Sequence, residues 1–232
     1  MNSFLQLPIA FDSVKLAAEL RLCEREQWTL HFNTADYSGD WSSISLRSAS
    51  GRAGDILSHP QSGGYCNTPL LERLHYLAEV LASFQCEKES VRLLSLAPGA
   101  CINEHTDVHA GYQYGFFRIH IPMQTSDDVI FSVDGHRLDM RSGECWYADF
   151  SLPHSVQNRG TQARVNLIVD CKRNAWSDQL FKGAGYDFDA EARAQKPDAA
   201  TRAKIIAQLS AMKTDTANRL IQQLLSEAEL DR

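Results

Sequence analysis

A histidine and an aspartate stand two residues apart in H-T-D at positions 105–107, just after a turn carrying Pro98 and Gly99. On an extended strand alternate residues point to the same face, so the His105 imidazole and the Asp107 carboxylate can reach one ion together. A second imidazole, His154, arrives much later in the chain beside Pro153. Two imidazoles and a carboxylate on one face of an octahedral ion leave three positions open, the ligand pattern of non-haem Fe(II) oxygenases. Zinc accepts the same donors with water in the fourth place. With eight histidines in the chain, one H-x-D pair arises readily by chance, so the residues after His154 carry the decision.

Arg164 follows His154 within ARVNLIVDC, an apolar run that reads as a strand. An arginine in the middle of such a run is costly unless something pairs with it, and its planar fork suits a carboxylate. Arg118 and His120 repeat the situation in GFFRIHIPM, at alternate positions among Phe116, Phe117, Ile119 and Ile121. Three donors turned inward make a pocket for a dicarboxylate. A structural salt bridge to Asp149 or Asp170 is the plainer account of any one arginine, and a weaker account of all three together.

These groups need a rigid scaffold. Residues 91–171 consist of short alternating apolar runs separated by turns, the pattern of consecutive strands in a barrel or sandwich. Ahead of them, residues 3–11 read as a strand. Asp12 or Ser13 caps a helix with Val14, Ala17, Leu20 and Cys23 on one face, and strands are expected at 28–32 and 41–47. Residues 48–65, rich in Gly and Ser, read as a loop, either a surface connection or a lid. Thr68 and Pro69 start a helix whose Leu70, Leu74, Leu77, Val80 and Leu81 back the barrel. After Cys171 the character becomes helical: Asp198 caps one helix, and another carries Ala217, Leu220, Ile221, Leu224, Leu225 and Ala228 at helical spacing. The expected division is a barrel domain over 1–175 and a helical extension over 176–232, whose apolar stripe packs on the barrel or joins two copies as a homodimer.

At 232 residues the chain holds one real core. A net charge of −6 offers no basic footprint for nucleic acid. No apolar run approaches the about 20 residues of a membrane span, and the start lacks the basic and apolar regions of a signal peptide. Six cysteines without framework spacing are expected to stay reduced, in the cytoplasm.

The stretch 92–171 resembles the aspartyl/asparaginyl β-hydroxylase family of 2-oxoglutarate-dependent dioxygenases through RLLSLAPGACINEHTD, FFRIHIPM, MRSGECWYADFSLPH and ARVNLIVDC. It is similar also to the bacterial cis-proline hydroxylases, which share this plan, and YSGDWSSISLR at 37–47 adds a weaker match. The resemblance implies a mainly β fold with flanking helices: a double-stranded β-helix (jelly roll, cupin-like) with a C-terminal helical extension. It implies Fe(II), 2-oxoglutarate and O2 as cofactors and co-substrates. His105, Asp107 and His154 become the iron ligands and catalytic centre, Arg164 holds the distal carboxylate of 2-oxoglutarate, and Arg118 and His120 lie near its other end. Animal members of the family carry glycine in place of the carboxylate ligand. Asp107 departs from them, which weakens transfer of their peptide-domain substrate.

The implied activity is hydroxylation of an amino-acid residue, free or in a peptide, with aspartyl or asparaginyl side chains leading and free L-proline as the alternative. Trp41, Arg47 and Arg92 are the substrate-contact candidates. His109 is read as a loop residue, because a further imidazole would fill a position the reaction needs, and His31, His59, His75 and His136 as structural or exposed. Two other classes compete: a non-catalytic cupin-like metal-binding protein, which has no need of a buried Arg164, and an interaction module built on the C-terminal helices.

Overall fold

A computed structural model describes residues 2–58 and 64–230, with side chains described as far as residue 226. His59, part of the 48–65 loop and the side chain of Ala228 therefore lie outside the described residues.

β1 (Phe4–Ala10) leads into α1 (Ser13–Cys23), and β2 (Thr29–Leu30), β3 (Tyr37–Ser38), β4 (Trp41–Ser48) and β5 (Cys66–Asn67) precede α2 (His75–Ser83). Then come β6 (Lys88–Leu96), β7 (Cys101–His105), β8 (Phe116–Gln124), β9 (Val129–Val133), β10 (His136–Leu138), β11 (Glu144–Ala148), β12 (His154–Asn158) and β13 (Arg164–Lys172). α3 (Ala175–Gly183), α4 (Phe188–Gln195), α5 (Ala199–Met212) and α6 (Asp215–Leu230) come last.

The strands form two antiparallel sheets. One runs β1-β11-β8-β13-β6-β4-β2 with β5 added to β4; the other runs β10-β9-β12-β7-β3. One apolar cluster takes Trp41 and Leu96 from the first sheet and Ile102, Phe131, Val133 and Val156 from the second, so the sheets face each other across a shared core. This is the jelly roll that the alternating runs and the family resemblance imply.

The central strand β13 is buried at every residue but its last. Period-two alternation then sends Arg164, Asn166, Ile168 and Asp170 toward the opposing sheet and Val165, Leu167, Val169 and Cys171 to the back. In β8, Arg118 and His120 share the inner face, while Phe117 turns back to meet Phe181 of α3 at a ring separation of 5.3 Å. Polar chemistry thus occupies the inner face of a sheet whose outer face is hydrocarbon.

The helices close that outer face with some shifts from expectation. Asp12 caps α1, accepting from the amides of Val14 and Lys15 at 2.9 and 3.1 Å. The buried stripe is Leu16, Leu20 and Cys23, and Val14 is 75% exposed. Val14, the second helical residue, faces outward, so the stripe begins at Leu16, later than the sequence suggests. All five apolar residues expected on the second helix are buried, but α2 starts only at His75. The Thr68 hydroxyl caps nothing; it donates to the carbonyls of Ser45 and Leu46 in β4. Glu19 of α1 caps α2 instead, accepting from the amides of Tyr76 and Leu77 at 2.6 and 2.8 Å.

α3 is fixed by an Asn174 capping box and by Phe181, fully buried and stacked on Tyr112 with ring centroids 3.8 Å apart. Tyr112 also bonds back to α3, its hydroxyl lying 2.8 Å from Asp178. Phe181→Ala is expected to cost about 3–5 kcal/mol, a fall of about 10 °C in midpoint at this chain length, checked by thermal unfolding.

The chain divides into two compact units, Met1–Asp187 and Phe188–Arg232. α3 therefore belongs to the barrel unit, although a boundary after residue 175 groups it with the later helices. In the second unit α5 packs against α6, and Asp198 caps α5 by accepting from the Thr201 amide at 2.7 Å. Among the described residues no helix is long and apolar enough to cross a membrane.

Candidate active site

His105, the last residue of β7, and His154, the first of β12, are cross-strand partners with ring centroids 4.3 Å apart. Nδ1 of His105 lies 2.8 Å from the Asn103 carbonyl, and Nδ1 of His154 lies 3.0 Å from the Leu152 carbonyl. A carbonyl only accepts, so each ring gives its Nδ1–H to that carbonyl and leaves Nε2 as the atom available to a metal. Burial further lowers the His154 pKa and keeps that ring neutral. Asp107 follows immediately, its amide donating to the Phe150 carbonyl at 2.8 Å and its Oδ1 3.8 Å from His105 Nε2. One ligand atom from each of the three residues lies within 4.8 Å of the other two. That is one ion's worth of donors, and the set suits Fe(II) or zinc by chemistry alone.

The second half of the site is cationic. Arg164 is 4% exposed and has its guanidinium over the Phe131 ring, 5.5 Å from the centroid. It makes no ion pair among the described residues, and burial lowers its pKa to about 10. His120 accepts at Nδ1 from the Asn166 amide nitrogen at 3.3 Å, so its hydrogen sits on Nε2, which is buried and unbonded. Burial, aided by the Arg164 charge, drives the His120 pKa well below the usual imidazole value. The sheet thus offers one unpaired guanidinium and one unpaired N–H. Burying such donors without acceptors is costly, and a ligand carboxylate between them would satisfy both. A cavity of about 240 Å³ contains Arg164 and His120 together with His105, Asp107 and His154.

Arg118 and Arg92 are committed elsewhere. Arg118 Nε donates to Asp170 Oδ1 at 2.7 Å, and its Nη1 donates to Asp107 Oδ2 at 3.2 Å. Arg92 donates to Asp170 Oδ2 at 3.0 Å and to the Ile56 carbonyl at 3.1 Å. Both line the cavity as clamps on carboxylates, with Arg92 Nε left buried and unbonded. Arg118 therefore orients Asp107 from the cavity wall, the same wall where the family resemblance puts it near the co-substrate. Burial alone would raise the Asp170 pKa, yet the Arg118 and Arg92 guanidiniums hold it below the usual carboxylate value.

The substrate-contact candidates separate. Trp41 forms part of the cavity wall, its indole N–H buried and unbonded. Arg47 does not line the cavity: it donates to the Lys88 carbonyl at 3.0 Å and to Asn67 Oδ1 at 2.8 Å. An irregularity between Ser45 and Arg47 sets Arg47 opposite Val91, breaking the cavity-facing series of Trp41, Ser43 and Ser45. It latches β5 to β4 and β6.

His109 adopts a left-handed backbone with φ 57° and packs near Tyr114, outside the ligand cluster. His31, read from the sequence as structural or exposed, is part of the wall. It stacks on Trp41 at 3.6 Å and on Phe32 at 4.5 Å. Its place beside Trp41 follows from the two-residue strand β2 pairing with β4 and from the His31 amide donating to the Trp41 carbonyl at 2.8 Å. Pairing that short carries almost no sequence signal.

The chain belongs to the aspartyl/asparaginyl beta-hydroxylase family, whose model matches residues 14–174. It is 25% identical over 177 residues to an L-proline cis-4-hydroxylase of Rhizobium meliloti (strain 1021), covering 75% of this chain and 62% of that protein. It is 28% identical over 137 residues to L-proline cis-3-hydroxylase 1 of a Streptomyces species, covering 57% of this chain and 47% of the relative. The matches thus span about half to three fifths of those relatives' length. In fold it is similar to an oxidoreductase of the 2OG-Fe(II) oxygenase family from Burkholderia pseudomallei, with a TM-score of 0.50 and 15% identity, covering 74% of this chain and 86% of that one.

Proposed function

We propose that the chain is an Fe(II)- and 2-oxoglutarate-dependent dioxygenase that hydroxylates an amino-acid substrate. The observation that carries this reading is the pairing, in one cavity, of two imidazoles and a carboxylate with an unpaired buried guanidinium and an unpaired imidazole N–H. His105, Asp107 and His154 would hold iron through three sites and leave three open. Iron with 2-oxoglutarate and O2 supplies oxidising power for an unactivated C–H bond, one oxygen atom ending in succinate, with loss of CO2, and the other in the hydroxyl product. Arg164 grips the far carboxylate of the co-substrate with its fork, and His120 donates from Nε2 into the same pocket. Arg118, anchored by Asp170, keeps the Asp107 carboxylate turned to the metal. Phe150, Trp41 and Ile102 contribute apolar wall to the same cavity.

The substrate is an amino acid, either free or in a peptide. Two relatives that are named L-proline hydroxylases support the free-proline alternative as much as the family name supports aspartyl or asparaginyl side chains. A cupin-like metal-binding protein without oxygenase activity gains nothing from a buried, unpaired Arg164. A homodimer through the C-terminal helices belongs to the same proposal, Leu220 and Leu225 of α6 being exposed apolar residues.

The test is succinate release from 2-oxoglutarate by the full chain with Fe(II), in the presence and absence of candidate amino acids. Turnover that requires iron and is lost in His154→Ala is expected. Iron binding without turnover for any amino acid or peptide would favour the metal-binding alternative.

A further inference from the structure

A second cavity, of about 360 Å³, opens on the far side of Arg164. Along the inner face of β8, Arg118 and His120 line the metal-side cavity, and Pro122, the next residue of that face, lines this one. Register on β13 sets Asn166 beside Pro122 and Ile168 beside His120, so the second cavity lies one layer further along the barrel. Among the described residues, Arg164 alone lines both cavities. Its guanidinium rests on Phe131, which belongs to the second.

The floor of this cavity carries two unanswered polar groups. Arg164 has no carboxylate partner among the described residues. Asn166, fully buried, gives its amide N–H to His120 while its Oδ1 stays unbonded. A buried cation and a buried acceptor without partners are both costly. At the exposed rim, Arg137 is spent on Asp139 Oδ1 at 2.9 Å and on the Asp127 carbonyl at 2.7 Å. Arg141, also on the rim, has no side-chain hydrogen bond or ion pair with a described residue. Two guanidiniums, Arg141 and Arg164, therefore stand against one uncommitted carboxylate in the lining, Asp127.

We propose that this cavity is a second anion site, built for a small oxyanion that also carries a hydroxyl, such as hydrogen phosphate or a hydroxy acid. The oxyanion takes the Arg141 fork and the edge of Arg164 turned from the metal, and its hydroxyl donates to Asn166 Oδ1. An occupant here answers the same charge that the far carboxylate of 2-oxoglutarate requires. Two anions flanking one buried guanidinium leave negative charge unbalanced in a low dielectric, so each weakens the other. The site is thus inhibitory towards the co-substrate. That linkage rests on the proposed function, whereas the anion site itself does not.

The test compares the full chain with Arg141→Glu, an exposed substitution outside the metal-side cavity. Titration calorimetry without iron uses inorganic phosphate, L-malate and succinate. Phosphate and L-malate are expected to bind the parent, and to bind Arg141→Glu about tenfold or more weakly, because a charge-assisted contact is reversed. Succinate, which lacks the hydroxyl, is expected to bind less well than L-malate. Turnover with Fe(II) is then measured against 2-oxoglutarate. Phosphate at about ten times its dissociation constant should raise the parent's KM for 2-oxoglutarate about tenfold. In Arg141→Glu that KM should match the parent's phosphate-free value and stay there. A parent that binds neither phosphate nor L-malate would overturn the proposal, as would succinate binding as tightly as L-malate. An equal rise of KM in both proteins would overturn it too, since the anion would then compete in the metal-side cavity. Arg141-dependent anion binding in a chain without turnover would keep the site and count against the proposed function instead.

Discussion

Arg164→Ala is expected to weaken 2-oxoglutarate binding about a hundredfold or more while leaving the fold as stable as before, or more so. The two effects have opposite signs for one reason. In the protein alone the guanidinium is buried among Phe131 and β-strand backbone without a carboxylate to answer it, and a buried unpaired charge costs several kcal/mol. That cost is recovered only when a ligand carboxylate arrives, and truncating one partner of such a buried pair typically loses about 2–5 kcal/mol, roughly tenfold for every 1.4 kcal/mol. Arg164→Lys keeps the charge but not the planar fork, and should fall between the two. Titration calorimetry with 2-oxoglutarate and thermal unfolding of the same variants check both halves. A large drop in stability without loss of affinity would make Arg164 a structural residue.

Asp170→Asn is expected to do the reverse, destabilising the barrel strongly. Asp170 is fully buried on β13 and receives Arg118 from β8 and Arg92 from β6, so one carboxylate ties together the three central strands. Neutralising it leaves buried Arg92 without a carboxylate and Arg118 with Asp107 alone, which costs about 3–5 kcal/mol and, at this size, lowers the midpoint by about 10 °C or more. The linkage sign follows from the depressed pKa. A carboxyl held below its unfolded value contributes stability that is fully present above that value, near 4. The contribution disappears as pH falls through the folded value. The parent should therefore lose stability on acidification below about pH 4 more steeply than Asp170→Asn, which has already lost this contribution. Denaturant midpoints measured across that range decide it. Because Arg118 also holds Asp107 at 3.2 Å, the same variant should bind Fe(II) more weakly.

The clustering of His105, Asp107 and His154 was readable because strand alternation is a local rule: H-T-D needs only an extended backbone to bring both side chains to one face, and Pro153 marks the edge where His154 enters. Arg164 was readable for a related reason, as a charge inside an apolar run. Arg118 was left between a pocket role and a structural salt bridge to Asp149 or Asp170, because its partner depends on register. The pairing of β8 with β13 sets it opposite Asp170, and no property of RIH or VDC chooses that partner over Asp149. Arg47 shows the same limit at smaller scale, since one irregular step in β4 removed it from the face that period two assigns it. His31 was missed because a two-residue strand and a ring stack leave no periodic trace. The α2 start was displaced because Thr68, a good cap by type, had a better use closing β4.

The account stands most directly on the chelate. Fe(II) and 2-oxoglutarate added anaerobically to the full chain should produce a weak visible charge-transfer band, absent in His105→Ala and lost in Arg164→Ala at the same ligand concentrations. A well-folded, iron-loaded parent with no band, or a band indifferent to Arg164, would contradict the assignment of this cavity to 2-oxoglutarate.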